Sequence, residues 1–333
     1  MLKIGIIGAG RIGRVHGESI QKYVSTATIK SIADPYLNEE IVTWAKELEI
    51  PLVLKDYKEI INDPEIDAVL ICSSTDTHSQ ISIEAAKKGK HIFCEKPVDK
   101  DLNKIKEVIN IIEETGVKYQ VGFNRRFDSN FMALREAVDT NKIGKPRVIK
   151  ITSRDPAPPP IDYIKVSGGM FLDMTIHDFD MIRFLSKSEA KSIYAVGKVF
   201  VDEEIGKAGD IDTAIITVTM ENGCMCVIDN CREASYGYDQ RAEIFGSEGS
   251  ISINNNSYST AILSNKDGVI AEKPLLFFLE RYMEAYALEI KEFVKSIVND
   301  TKVPVSIIDG LEPIKIAIAA KKSLEERRVV NLR

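Results

Sequence analysis

Cysteine is scarce in this chain of 333 residues: five are present, at positions 72, 94, 224, 226 and 231. The number is odd, none are spaced C-x-x-C, and no Cys/His pattern suits zinc. These absences exclude a disulfide scaffold and point to reduced thiols in a cytoplasmic protein. Cys72 and Cys94 fall in apolar runs of the kind that form buried strands. Long apolar runs are also missing. None approaches the roughly 18 uncharged residues of a membrane span. The first run, MLKIGIIGAG, turns polar at Arg11, before a signal peptide would reach its cleavage site. There is no excess of positive charge either. Lys and Arg total 44 against 50 Asp and Glu, a net charge of −6, so no basic surface for nucleic acid is implied. No internal repeat or low-complexity segment occurs.

What remains is an ordinary globular composition, 44% hydrophobic and 28% charged, long enough for two domains. Through residue 121, short apolar runs alternate with helical patterns: KIGIIG, TIKSIAD, PLVL, DAVLICS, HIFCE and KYQVGF, with helices between them. Strands without polar alternation are buried on both faces, as in a parallel sheet covered by helices. This predicts a doubly wound α/β domain over residues 1–121 with right-handed βαβ crossovers. After Phe123 the rhythm changes. PRVIKITS, KSIYAVGKVFV, DTAIITVTM, GCMCVIDNC, RAEIFG and GSISIN are strand-like and separated by turn signals, which favours an antiparallel meander. Residues 122–333 are therefore expected to form an α+β domain with a large, mainly antiparallel sheet, closed by helices near 280–298 and 311–324.

Gly8-Ala9-Gly10-Arg11-Ile12-Gly13 fits G-x-G-x-x-G, directly after an apolar strand and opening a helix. In that context the glycines permit a tight turn and close approach of a pyrophosphate to the helix N-terminus. Asp34 closes the second strand, 21 residues beyond Gly13. A carboxylate there accepts from ribose hydroxyls and repels a 2′-phosphate, and Pro35 and Tyr36 follow rather than an arginine. NAD is favoured over NADP. A methyltransferase shares a glycine-rich loop and an acidic strand end, and remains the alternative on this motif alone. Two further strand ends point to the same crevice: Ser73-Ser74-Thr75, with His78 just beyond, and Glu95-Lys96-Pro97. His16 and His91 read as structural.

Residues 168–185, GGMFLDMTIHDFDMIRFL, look like a buried helix that nonetheless carries Asp173, His177, Asp178 and Asp180. On a continuous helix Asp173, His177 and Asp180 share one face, at i, i+4 and i+7. Met174, Met181 and Leu185 form a packing face. Asp178 points elsewhere, toward a surface cation. Asp180 either supports His177 or meets Arg183 at i+3. A metal on Asp173, His177 and Asp180 is chemically conceivable, but nothing nearby has ligand spacing and Lys96 would repel a cation, so no metal is expected.

GIIGAGRIGRVH, the strand-end EKP at 95–97 and the GGMFLDMTIHDFDMIRFL stretch together resemble the Gfo/Idh/MocA oxidoreductase family over essentially the whole chain. FNRRFD, SRDPAPPP and YGYDQRAEIFG strengthen the likeness toward members acting on inositol. The resemblance implies a Rossmann domain, a second domain with an open sheet, and homo-oligomers, dimers or tetramers, packed through those sheets. It implies a polyol substrate held by Asn124, Arg125, Asp155 and Tyr238 together with Lys96, Asp173 and His177. Tyr236 is the alternative tyrosine, and Arg125 or Arg126 has Asp128 as a simple ion-pair partner. Alcohol oxidation requires a base that titrates near neutrality, which suits His177. Asp173 would orient or charge-stabilise that ring, or bind a neighbouring hydroxyl. Lys96 would donate to the reacting oxygen. A non-catalytic NAD-binding sensor is the competing class, although a sensor has no need of all three.

Overall fold

The computed structural model describes residues 1–332. The chain forms two compact units. One comprises Met1–Phe127 with Glu284–Leu311, the other Asp128–Met283 with the chain from Glu312 on. Where the sequence pattern runs the second domain unbroken from residue 122, residues 284–311 instead belong with the first unit. That return rests on contacts distant in sequence, which no local pattern announces.

In the first unit, strands and helices alternate: β1 (Leu2–Ile7), α1 (Arg11–Tyr23), β2 (Ala27–Ala33), α2 (Glu39–Glu47), β3 (Leu52–Leu54), α3 (Tyr57–Asn62), β4 (Ala68–Ile71), α4 (Thr75–Lys87), β5 (His91–Glu95), α5 (Leu102–Thr115) and β6 (Tyr119–Gly122). All strands are parallel, in the order β3-β2-β1-β4-β5-β6. The absence of polar alternation is explained by burial: every residue of β4 and β6 is buried. Side chains start the helices where the sequence offers them. Asn38 accepts from the Ile41 amide at 2.9 Å and Asp101 from the Asn103 amide at 2.8 Å. The strand order reverses between β1 and β4, so the crevice for a ligand opens at the carboxyl ends of these strands. From the returning segment, Ile290, Phe293 and Val294 join the core of Ile4, Ile6, Leu70 and Phe93. Beyond them the Val305 carbonyl accepts from the Val121 amide at 3.1 Å, which protects the β6 edge.

The second unit contains α6 (Ser129–Asp139), β7 (Pro146–Arg154), α7 (Ile161–Ser167), α8 (Met170–Asp173), α9 (Ile176–Ser186), β8 (Ala190–Lys198), α10 (Glu203–Lys207), β9 (Thr213–Met220), β10 (Met225–Cys231), β11 (Asp239–Gly246), β12 (Ser250–Ile253), β13 (Ile262–Asn265), β14 (Gly268–Ala271) and α11 (Phe278–Arg281). Helix α12 (Met283–Val298), helix α13 (Ile307–Glu326) and β15 (Val330–Asn331) complete the chain. The open sheet runs β12-β11-β7-β10-β9-β8-β15. It is mainly antiparallel as expected, but it is not a simple meander. β7 stands between β11 and β10 and pairs parallel with β10, because four helices and two strands intervene before the chain returns. One face packs on α9 and α13 through Ile149, Ile216, Ile228, Phe179, Ile182 and Ile316. The β13–β14 hairpin was not foreseen: Ile262, Leu263, Val269 and Ile270 are exposed, so no half-buried alternation marks it.

Within this unit, Asp128 caps α6, accepting from the Asn130 and Phe131 amides at 3.2 Å each, and also binds the Arg281 guanidinium, with Nη2 at 3.0 Å. The expected pairing of Asp128 with Arg125 or Arg126 is replaced. Arg126 instead donates to Asp309 at 2.9 Å in the first unit. Both partners of the Asp128–Arg281 pair are buried, 5% and 3% exposed at their side chains. Breaking such a pair strands a buried charge. Asp128→Ala should therefore lower unfolding stability by about 3–5 kcal/mol, read from the denaturant midpoint. A loss below about 1 kcal/mol would show the pair to be solvated.

Candidate functional site

The three loop glycines are required for three different reasons. Gly8 has φ +101°, and an added Cβ would stand 2.7 Å from the Cys72–Ser73 backbone. A Cβ on Gly13 would lie 2.0 Å from the Gly8 carbonyl oxygen, so α1 can approach β1 only without it. At Gly10 an added Cβ would meet nothing within 4 Å. Protein packing does not explain that glycine, and the open space beside it leaves room for the close approach of a ligand. No side chain caps α1, which leaves its first amides to an anion, as a pyrophosphate requires. Arg11 and Ile12 open that helix, Arg11 exposed and Ile12 partly buried. Asp34 is fixed toward the loop: Oδ2 accepts from the Ala9 amide and Oδ1 from the Tyr36 amide, each at 2.8 Å. Its remaining lone pairs are available to ribose hydroxyls. These residues fit a bound dinucleotide.

The neighbouring strand ends are braced together. Ser73 Oγ lies 2.7 Å from Thr77 Oγ1, and Ser74 starts α4 without a side-chain cap, its carbonyl accepting from the Thr77 amide at 2.9 Å; Thr75 opens that helix. His78 is 1% exposed, with Nδ1 2.8 Å from the Pro97 carbonyl and Nε2 3.0 Å from that of Ser73. Burial opposes a charge on this ring, but Cys94 and the two carbonyls outweigh it and raise His78 to about 9. The structure thus gives His78 the role of a strut between the Ser73 turn and the EKP turn. Glu95 pairs with His16, Nε2 to Oε1 at 2.7 Å. Lys96 follows, and its bond to Pro97 is cis. Asn124 and Arg125 lie in a 3₁₀ turn directly after β6, both 3% exposed.

In the second unit the 168–185 stretch is not one helix. α8 ends at Asp173, Met174 and Thr175 form a turn, and α9 starts at Ile176. Gly168 and Gly169 both have positive φ, +93° and +86°, and a Cβ on Gly169 would meet Asp210 Oδ1 at 2.9 Å. The glycine pair therefore serves the chain reversal and the seat of Asp210. Both oxygens of Asp173 are claimed: Tyr163 donates to Oδ1 at 2.9 Å and Arg232 Nη1 to Oδ2 at 3.1 Å. Arg232 is 1% exposed and has Asp210 3.7 Å beyond its Nη2, while the Met170 amide donates to Asp210 at 3.0 Å. Tyr163, Asp210 and Arg232 escaped the sequence reading. A charged residue immediately after the apolar strand β10 was the available signal for Arg232.

His177 sits one residue into α9, partly buried. Asp178 is not directed to a surface cation: it is fully buried and accepts from Asn230 Nδ2 at 2.9 Å. Asp180 is fully buried with Arg183 Nη1 at 3.7 Å. Asp155 is placed by its amide, which donates to the Cys231 carbonyl at 3.0 Å. Tyr238, 7% exposed, meets Phe277 and Tyr282 edge-on, whereas Tyr236 donates to Asp239 at 2.5 Å and receives Arg154 at 3.2 Å.

A glycine-rich turn, an uncapped helix start and an acidic second strand end define a dinucleotide-binding protein of the Rossmann class. Residues 2–123 match the model described as the oxidoreductase family with an NAD-binding Rossmann fold, and residues 131–252 match the GFO/IDH/MocA C-terminal domain. The chain belongs to the Gfo/Idh/MocA oxidoreductase family and takes NAD as cofactor. It is 49% identical to a myo-inositol 2-dehydrogenase of Thermotoga maritima, across 99% of this chain and 98% of that protein. Identity is 41% to an inositol 2-dehydrogenase of Rhizobium meliloti, over 99% of both chains. Among solved structures, a myo-inositol dehydrogenase from Corynebacterium glutamicum superposes with a TM-score of 0.95 at 36% identity, over 100% of this chain and 99% of that one. A scyllo-inositol dehydrogenase from Lactobacillus casei, with bound NAD(H) and scyllo-inositol, gives 0.92 at 31%, over 100% and 99%.

If Asp34 selects the cofactor, Asp34→Ala should narrow the preference for NAD over NADP by at least about 10-fold, the scale of one hydrogen bond to a charged group. Titrating both nucleotides against wild type and variant measures it, and an unchanged ratio would remove Asp34 from that role.

Proposed function

We propose that the protein is an NAD-dependent inositol 2-dehydrogenase that oxidises the C2 hydroxyl of myo-inositol to 2-keto-myo-inositol, with His177 as general base. The observation that carries this reading is the anchoring of Asp173. Its two oxygens are held by Tyr163 and the buried Arg232, four residues before His177. A carboxylate fixed this way does not swing, and Arg232 supplies its countercharge. It is suited to orienting a polyol hydroxyl or the base, with no need to accept the proton itself.

The bound nicotinamide supplies the hydride acceptor. The chain's own residues handle the proton and the geometry. His177 takes the hydroxyl proton; its neutral imidazole can do so near neutral pH. Lys96 donates to the same oxygen and offsets the charge developing there. Asn124, Arg125, Asp155 and Tyr238 are assigned to the other ring hydroxyls, so a polyol rather than a monohydric alcohol suits the set. The likeness to a scyllo-inositol dehydrogenase supports a second reading, the same chemistry on the epimer.

A panel of cyclitols and aldoses, followed by NADH absorbance in alkaline buffer, separates these. The expected result is turnover of myo-inositol above the rest. Turnover of none would favour an NAD-binding sensor. His177→Ala should lower kcat by about two to four orders of magnitude and leave NAD affinity nearly intact; an unchanged kcat removes His177 as base.

We further propose that the chain works as a homo-oligomer, a dimer or tetramer, through the outer face of the seven-stranded sheet. Tyr194, Val196, Ile215, Met225 and Phe245 project from that face, all more than a third exposed. Val196 pairs directly with Ile215 across β8 and β9. Exposed apolar side chains gathered on one face of a sheet mark an interaction surface. Light scattering should give at least twice the monomer mass, and Val196→Glu with Ile215→Glu should reduce it to one chain. A wild-type monomer would count against this surface.

A further inference from the structure

A buried titratable cluster lies in the first unit, behind the strand end that carries Lys96. His16 lies three residues after Gly13 on α1, Glu95 ends β5, and Glu289 is on α12. The imidazole nitrogen and carboxylate oxygens of these three lie within 4.8 Å of one another, the one such His, Cys or acidic grouping among the described residues. His16 is fully buried and is held by its 2.7 Å bond to Glu95 and by ring contacts with Phe93 and Tyr286 at 5.0 and 5.7 Å. Glu289 is also fully buried, and neither of its carboxyl oxygens has a hydrogen-bond partner. Only its main chain is engaged, by Gln120 Nε2 at 2.9 Å. An ionised carboxylate without a donor, facing a second carboxylate, is the arrangement that desolvation most strongly opposes.

We propose that Glu289 is a neutral carboxylic acid in the folded protein, and that with His16 and Glu95 it forms a proton-holding cluster that positions the Lys96 strand end. The titratable and polar groups around it are His16 from α1, Glu95 from β5, Cys72 after β4, the neutral Gln120 from β6 and Tyr286 on α12 itself. None of them is a permanent cation, so a proton is what keeps the cluster from carrying two bare carboxylates. Burial, and then the Glu95 carboxylate, push Glu289 well above the ordinary 4.5 of a glutamate. The thiol of Cys72 is pushed up by burial first and then by the Glu95 carboxylate, which places it against the cluster. Loss of the Glu289 proton sets two buried carboxylates against each other. Relief comes most simply by displacing Glu95, whose next residue is Lys96.

The direction with pH follows. A raised folded-state value means that the folded protein binds this proton more tightly than the unfolded chain. The stability it contributes is complete below about 4.5 and is lost as pH rises toward the folded-state value. Glu289→Gln keeps the shape and removes the titration. Its melting temperature should exceed that of the wild type by a margin that widens from mildly acidic to alkaline buffer, by about 3 °C or more per pH unit. Parallel melting curves would overturn the proposal. So would a stoichiometric divalent metal in the dialysed wild-type protein, because a cation would then neutralise the pair. An infrared carboxylic-acid band should be present in neutral buffer in the wild type and absent from Glu289→Gln; its absence from the wild type would also overturn the proposal. The positioning half rests on the role given to Lys96 above. It predicts that the alkaline limb of kcat/KM moves to higher pH in Glu289→Gln, with KM for NAD little changed. Coincident profiles would remove that half. The melting and infrared results do not depend on turnover, so failure of the substrate reading stays distinguishable from failure of this one.

Discussion

Helix α1 rests against β1 only because position 13 has no side chain: a Cβ there would stand 2.0 Å from the Gly8 carbonyl oxygen. Much in the first unit follows from that approach. It turns the uncapped start of α1 toward the space at Gly10 and lets the Asp34 carboxylate reach the loop amide of Ala9. One turn further along the helix it delivers His16 to Glu95. The glycine-rich loop and the strand end that carries Lys96 are therefore tied together by one imidazole. A bulkier residue at position 13 would disturb both, although they are 83 residues apart in the chain.

The second unit solves a different problem, that of keeping carboxylates in a largely apolar segment. Asp173, Asp178 and Asp180 each receive a separate partner: Arg232, Asn230 and Arg183. Two of these partners come from β10 or the residue just after it. The sheet is thus more than a support for α9, because its strand ends supply donors to both α8 and α9. The break at Met174–Thr175 fits this arrangement, since it frees Asp173 from the regular face of α9 to meet Tyr163 and Arg232 at once.

Much of this was legible in the sequence where the relevant contacts are local. Uninterrupted apolar runs announced the parallel strands, and G-x-G-x-x-G placed the nucleotide turn, because both patterns are set by neighbours a few residues away. The strands of the second domain were also visible, but the position of β7 between β11 and β10 was not; parallel pairing of β7 with β10 depends on partners about 77 residues apart. The same limit explains why 284–311 could not be assigned to the first unit, and why Asp178 was turned toward solvent when Asn230 awaited it. Helical periodicity gives the face a residue occupies, but it does not identify what packs against that face. The glycines at 168 and 169 show a second limit. Their positive φ values were implicit in the pair, but the neighbour that needs the missing Cβ, Asp210, lies 41 residues downstream of Gly169.

Burial also separates two kinds of acidic residue that look alike in the sequence. Asp173 accepts two hydrogen bonds and has a guanidinium beside it, so negative charge is compatible with its site. Glu289 has neither, and its nearest acidic neighbour is Glu95. The fold can tolerate both only if they differ in protonation: one carboxylate compensated by a fixed cation, the other by its own proton. The arrangement at Glu289 is stable only while the proton is retained, and so the unit that binds NAD carries a pH dependence of its own.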